Sequence, residues 1–125
     1  MISVGKSAAV STAVSEQNTA KAVGSGSLAV FSTPMMIALM EQAACECLAE
    51  GLEPGQTSVG TEICVAHTAA SPLGAVITAE AIVKEVNGRK ISFKVMAKDE
   101  AKEIGIGTHN RVIIDAERFM SKLYK

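Results

Sequence analysis

The chain has 125 residues, a formal net charge of −1, 48% apolar residues and only 3% aromatic residues, with no Trp. That length suits one domain, read here as residues 1–125, with a core of Ala, Val, Ile, Leu and Met. Scattered cations exclude a nucleic-acid footprint, no apolar run reaches a membrane span, no signal-peptide pattern opens the chain, and three cysteines predict reduced thiols in a cytoplasmic protein.

Residues 7–23, rich in Ala, Val, Ser and Thr, predict an extended first strand region. Gly24–Ser27 (GSGS) is a flexible joint into a helix over about 34–49. Thr33 is read as its cap, Pro34 sits in the first turn where its missing N–H costs nothing, and Gly51 is expected to stop the helix in a left-handed conformation. Past GLEPGQ the period becomes two, and Val59, Thr61, Ile63, Val65 and His67 are predicted to share one strand face. A second strand, AVITAEAIVKEV, runs into Asn87-Gly88, a two-residue hairpin signal because both residues tolerate positive φ. The returning strand points Ile91, Phe93, Val95 and Ala97 inward. In the last long strand, EIGIGTHNRVIID, Gly105 and Gly107 predict a close approach to the backbone. The tail AERFMSKLYK reads as a short helix or a strand extension. One long helix on about five antiparallel strands makes an α+β fold, and its long sheet edges suggest dimerisation by edge pairing.

The chemistry centres on Glu41. Ile37, Glu41, Ala44 and Leu48 recur at helical spacing, so the acid falls on an apolar stripe. A buried carboxylate must be paired, hydrogen-bonded or protonated, and burial raises its pKa toward the range used in acid–base work. The alternative is a rotated helix that delivers Glu41 to solvent beside Gln42. His67, at a strand end, is the natural proton carrier or a half-exposed strand-end side chain. His109, between Thr108 and Asn110, reads as outward and structural. Thr33 and Glu41 lie roughly 12 Å apart along one helix, so in a common site they come from different subunits or serve different parts of a ligand. Unpaired N–H groups at the helix start suit an oxyanion. Cys45, Cys47 and Cys64 read as small core residues, the His and Cys spacing fits no metal, and GSGS lacks the Lys of a phosphate loop.

Four blocks in unbroken order, VFSTPMMIALMEQAA, TSVGTEICVAHTAASPLG, VNGRKISFKVMAKD and EIGIGTHNRVIID, resemble the matching segments of hotdog-fold acyl-CoA thioesterases, most nearly the fluoroacetyl-CoA thioesterase group. The resemblance spans about residues 30–119. It implies a long helix wrapped by a curved antiparallel sheet, subunits paired edge to edge into a homodimer that could pair further into a tetramer, and no cofactor beyond the CoA thioester substrate. It also implies a catalytic Thr33, Glu41 and His67 at the dimer interface, a backbone contact from Gly60 to the acyl group or its carbonyl, and Arg111 near the acyl pocket. The likeness departs between the first strand and the helix. The fluoroacetyl-specific members carry a lid with phenylalanines there, whereas this chain has Gly24–Leu28 and no aromatic before Phe31. The implied activity is hydrolysis of a short-chain acyl-CoA. The competing readings are a non-catalytic binder of an acyl carrier or small hydrophobic ligand, and a hydratase of enoyl thioesters. The second lacks the expected Asp/His pattern.

Overall fold

The computed structural model describes residues 1–124. Five strands form one antiparallel sheet in the order β1-β3-β4-β5-β2, with β1 over Ser7–Ala13, β2 over Gln56–His67, β3 over Val76–Asn87, β4 over Lys90–Lys98 and β5 over Glu103–Asp115. Its curved inner face wraps the long helix α2, Thr33–Ala49; a short α1, Ala20–Val23, precedes it in the chain, and the C-terminal α3, Ala116–Leu123, follows β5. The expected hotdog arrangement of one long helix inside a curved sheet is borne out. None of the described helices is long and apolar enough to cross a membrane.

The core is aliphatic, as composition requires. Met36, Met40, Ala43, Ala44, Cys47 and Leu48 of α2 meet Ile91, Phe93, Val95 and Ala97 of β4 together with Ile77, Ala79 and Ala81 of β3. All four expected inward residues of β4 are buried. The helix lies mainly across β1 and β3, leaving the β4-β5-β2 side of the sheet less covered, and β2 is a sheet edge.

Several local expectations are corrected. The first strand ends at Ala13. Asn18 then ties back to Ala13 O at 3.0 Å, Thr19 Oγ1 accepts from Ala22 N, and a helical turn follows. The cap of α2 is Ser32, whose Oγ accepts from Met35 N at 3.3 Å; Thr33 is the first helical residue, which frees its hydroxyl. Gly51 is not left-handed, since the chain leaves α2 through right-handed Glu50. It is glycine because a Cβ there would lie 2.5 Å from Ile2 Cγ1. The β3–β4 turn is Gly88-Arg89, one position later than expected: Asn87 still pairs with Lys90, and Gly88 alone takes a positive φ of 64°. Of the three free cysteines only Cys47 is buried; Cys45 and Cys64 are exposed.

The close approaches expected at β5 are present. A Cβ on Gly105 would sit 2.5 Å from Met36 Sδ, and one on Gly107 would overlap the Cys64 carbonyl and Val65 Cα of β2. The latter obstacle is backbone, which cannot rotate away. Gly107→Ala is therefore expected to lower stability by about 2–3 kcal/mol, in the range of overpacking a tight site, read as a drop in the urea midpoint with the slope unchanged.

Candidate active site

Two loops bring the start of α2 against the end of β2. Phe31 N–H donates to Ser71 O at 3.0 Å. Ser71 Oγ donates to Asp99 Oδ2 at 2.9 Å, and Lys102 Nζ meets the same oxygen at 2.7 Å. The Lys102 ammonium, with backbone N–H donors behind it, holds the Asp99 carboxyl well below the usual carboxylate range. So anchored, Thr33 Oγ1 stands 2.7 Å from His67 Nδ1. The Nε2 of His67 is buried and has no hydrogen-bond partner among the described residues. Burial pushes the His67 pKa down from its ordinary value, only partly opposed by the nearby Ala69 backbone, so the ring is neutral near pH 7. Beside this pair lies a shallow groove of about 330 Å³, flanked by Ser25, Thr33, His67 and Ala69.

Glu41 lies elsewhere. The centre of the buried helix face is Met36, Met40, Ala43 and Cys47, so the Ile37–Glu41 row falls on its flank and Glu41 keeps 40% of its side-chain exposure. The expectation of an acid enclosed by apolar neighbours is corrected: Glu41 is a half-exposed carboxylate in an ion pair. Arg111 Nη1 donates to its Oε2 at 3.1 Å. The guanidinium also donates through Nε to Ser58 Oγ at 2.9 Å, through Nη2 to Ser58 O at 3.1 Å, and through Nη1 to His109 Nε2 at 3.2 Å. It is thus anchored to β2 on one side and to the helix acid on the other.

His109, expected to point outward, is buried at 2% exposure and stacks on Phe93 with ring centroids 6.0 Å apart. Its Nδ1 lies 2.7 Å from Glu62 O, and a carbonyl can only accept, so Nδ1 carries the proton and Nε2 accepts from Arg111. Burial, reinforced by the Arg111 charge, pushes its pKa down despite the Glu62 bond and the Glu41 charge. The 3.9 Å approach of Nε2 to Glu41 is therefore no ion pair.

Gly60 completes this cluster. A Cβ there would sit 2.8 Å from Glu41 Oε2 and 3.2 Å from His109 Cε1, so glycine makes room for the carboxylate. Beside it, Thr61 is an extra residue in β2, since Gly60 pairs with Arg111 and Glu62 with Asn110. The bulge reverses the alternation: Gly60 faces inward, and so do Ile63, Val65 and His67, while Thr61, expected on their face, is exposed.

Within one chain, then, the five expected residues form two groups, Thr33 with His67, and Glu41 with Gly60 and Arg111. The β2 ladder puts six steps between Gly60 and His67, roughly 20 Å. The residue missed from sequence is His109. From Gly105 onward the odd positions of β5 turn inward although the even positions Ile106, Val112 and Ile114 are apolar, and Ile106 is 36% exposed. The THNR cluster was the signal.

Residues 14–117 match the FlK family, fluoroacetyl-CoA-specific thioesterase. A fluoroacetyl-CoA thioesterase of Streptantibioticus cattleyicolor is 48% identical over 94 residues, covering 75% of this chain and 68% of that protein. The crystal structure of a phenylalanine-to-alanine variant of the fluoroacetyl-CoA-specific thioesterase FlK superposes with a TM-score of 0.93 at 38% identity, over 99% of this chain and 96% of that one. A hot-dog-like protein from Thermanaerovibrio acidaminovorans gives a TM-score of 0.88 at 26% identity, over 97% and 90% of the two chains.

The two histidines carry a pH consequence. Each has a folded pKa below its unfolded value, so the unfolded chain binds more protons; the stability is complete above about pH 6.5 and is lost as pH falls through the folded values. Urea midpoints are expected to fall from pH 7 to pH 5, and His109→Gln should flatten that fall. An equal slope in the variant would contradict the assignment.

Proposed function

The chain belongs to the fluoroacetyl-CoA-specific thioesterase family, and on that premise we propose that it hydrolyses short-chain acyl-CoA thioesters to the free acid and CoA in sites shared by two subunits. The observation that carries this reading is a pair of incomplete half-sites along one edge strand: at the end of β2 the His67 Nε2, buried with no partner among the described residues, and against Gly60 of β2 the ion-paired Glu41 carboxylate of α2.

Edge pairing supports their union. Thr68 N–H bonds to Ile104 O, and antiparallel ladders alternate, so Ile63, Val65 and His67 turn their backbone groups toward the open edge. A symmetric antiparallel pair of β2 strands centred on Cys64 sets His67 against Gly60 of the partner subunit once the bulge residue Thr61 is discounted. Because Glu41 packs on Gly60, the unpartnered Nε2 then faces Glu41 of the partner subunit.

In that setting a thioester carbonyl lies between the two groups. Glu41 attacks the acyl carbon to give a transient anhydride, or takes the proton of an attacking water; a thiolate leaves readily in either case. With Nδ1–H donating to Thr33 Oγ1, His67 presents a bare Nε2. In the anhydride route the sulfur leaves as thiolate, and Nε2 takes a proton from the water that opens the anhydride and passes it to the thiolate. In the base route the proton that Glu41 takes from water passes through Nε2 to the sulfur. Thr33 fixes the imidazole, Arg111 holds Glu41 in place through its hydrogen bond, and the Gly60 N–H would meet the developing oxyanion. Labelled solvent oxygen entering the protein carboxylate distinguishes the nucleophile from the base. The acyl preference follows from the loop before α2: Gly24–Ser27 are small, Leu28 is exposed, and Phe31, which lines the His67 groove, is buried in the core and does not rise over the groove as a lid. Selection for fluoroacetyl over acetyl groups is not expected.

Purified protein should release thiol from a panel of short acyl-CoAs, with Glu41→Gln slowing release by about 100-fold or more; equal rates for the two proteins would overturn the hydrolase reading. Shared sites make a sharper demand. Glu41→Gln and His67→Gln chains, each inactive alone, should recover about one quarter of wild-type activity when co-refolded, since half the dimers are mixed and each mixed dimer carries one intact site. No recovery in verified mixed dimers would place both residues in one subunit's site.

A further inference from the structure

We infer that His109 is a positioning residue of the reaction, whose imidazole ties Arg111 to the β2 bulge and so sets both Glu41 and Gly60, an assignment that rests on the thioesterase reading and adds to it a residue remote from the reacting atoms. His109 is the one histidine that the proposed chemistry leaves unused. It is 2% exposed on the inner face of β5, flanked across the sheet by Ile63 of β2 and Phe93 of β4. Packing alone asks only for an apolar side chain there, so what the two ring nitrogens do decides the role of the residue.

Each nitrogen serves a different part of the site. Nδ1–H donates to Glu62 O at 2.7 Å, the carbonyl that follows the extra residue Thr61, and so pins the bulge. The ring also lies against Gly60, where a Cβ would meet Cε1 at 3.2 Å. Nε2 accepts from Arg111 Nη1 at 3.2 Å, and the same Nη1 donates to Glu41 Oε2 at 3.1 Å. The two hydrogens of that nitrogen are divided between the acid and the imidazole.

The division holds only while His109 is uncharged. Nδ1 already carries a proton, so a second adds at Nε2, which would then face an Arg111 N–H as donor against donor and cation against cation. The acceptor within reach is Glu41 Oε2, 3.9 Å from Nε2. A charged His109 would compete with Arg111 for that carboxylate and turn Glu41 from its setting. Arg111 and Glu41 are the charged groups that face the ring; β4 contributes Phe93, β2 contributes a backbone carbonyl, and the Glu62 carboxylate accepts from Asn110 Nδ2 at 2.9 Å. Burial holds the ring uncharged near pH 7.

His109→Leu removes both bonds, and kcat should fall about 10- to 100-fold with KM little changed. His109→Gln keeps an N–H donor and an oxygen acceptor in one side chain and should recover most of that loss at pH 8. Gln does not titrate. Below both histidine pKa values, the slope of log(kcat/KM) against pH should therefore be one less in His109→Gln than in wild type, a change that lost packing does not produce. Wild-type kcat in His109→Leu, or an unchanged slope in His109→Gln, overturns the inference; if His109→Leu does not fold, the slope decides by itself. Nuclear magnetic resonance reads the network without turnover. In a His67→Gln chain His109 is the sole histidine, and the Arg111 N–H resonances, distinct while the guanidinium is held, should merge as His109 takes its proton. They should stay distinct over the same pH range once His109→Gln is added. Resonances that ignore the His109 titration overturn the inference. Wild type inactive on every ester removes the hydrolase reading alone, and the Arg111 resonances still decide whether His109 holds the network.

Discussion

Arg111 is buried at 6% exposure in a protein whose core is almost wholly aliphatic, and a guanidinium always carries its charge, so its donors need partners nearby. Ser58 on β2, His109 on its own strand and Glu41 on α2 meet four of the five. The consequences spread outward. Glu41 is fixed on the flank of the helix, His109 is forced into a neutral tautomer that accepts from the arginine, and Gly60 must lack a side chain because the carboxylate occupies its Cβ space. Removing the guanidinium would free a reactive acid and strand a buried imidazole.

The second half of the chemistry is built by other means. Thr33 is available to His67 because Ser32, and not Thr33, performs the capping. The hydrogen bond fixes one imidazole nitrogen and leaves the other buried and unmatched. Unmatched buried polar atoms are costly, on the order of 1–3 kcal/mol, and seldom persist without a reason. The proposed β2 pairing gives that cost a reason, because it brings the partner subunit's Glu41 to the unmatched nitrogen. It also gives the open edge of β2 a partner.

The same sheet keeps an apolar row on its outer side. Ile106, Met96 and Val112 face away from the helix, which is why the alternation of β5 misleads when read alone. Buried positions of β5 hold His109 and Arg111 beside the core residues Ile104 and Ile113 because the network with Glu41 needs them inside.

Sequence alone determined the number and order of the major elements, the inward set of β4, the tight backbone at Gly105 and Gly107, and the family, because periodicity, turn residues and motif order are local properties of the chain. It also marked Thr33, Glu41, His67, Gly60 and Arg111, through the likeness of whole blocks. It did not show that Ser32 caps α2, that β2 carries a bulge at Thr61, that His109 turns inward, or that Glu41 is ion-paired and not enclosed in oil. Only the tertiary structure decided these, and with them the division of the site into two groups. Which hydroxyl caps, which parity faces the helix and which cation meets an acid depend on contacts between residues as much as 70 positions apart, such as Arg111 and Glu41, and no local pattern records them.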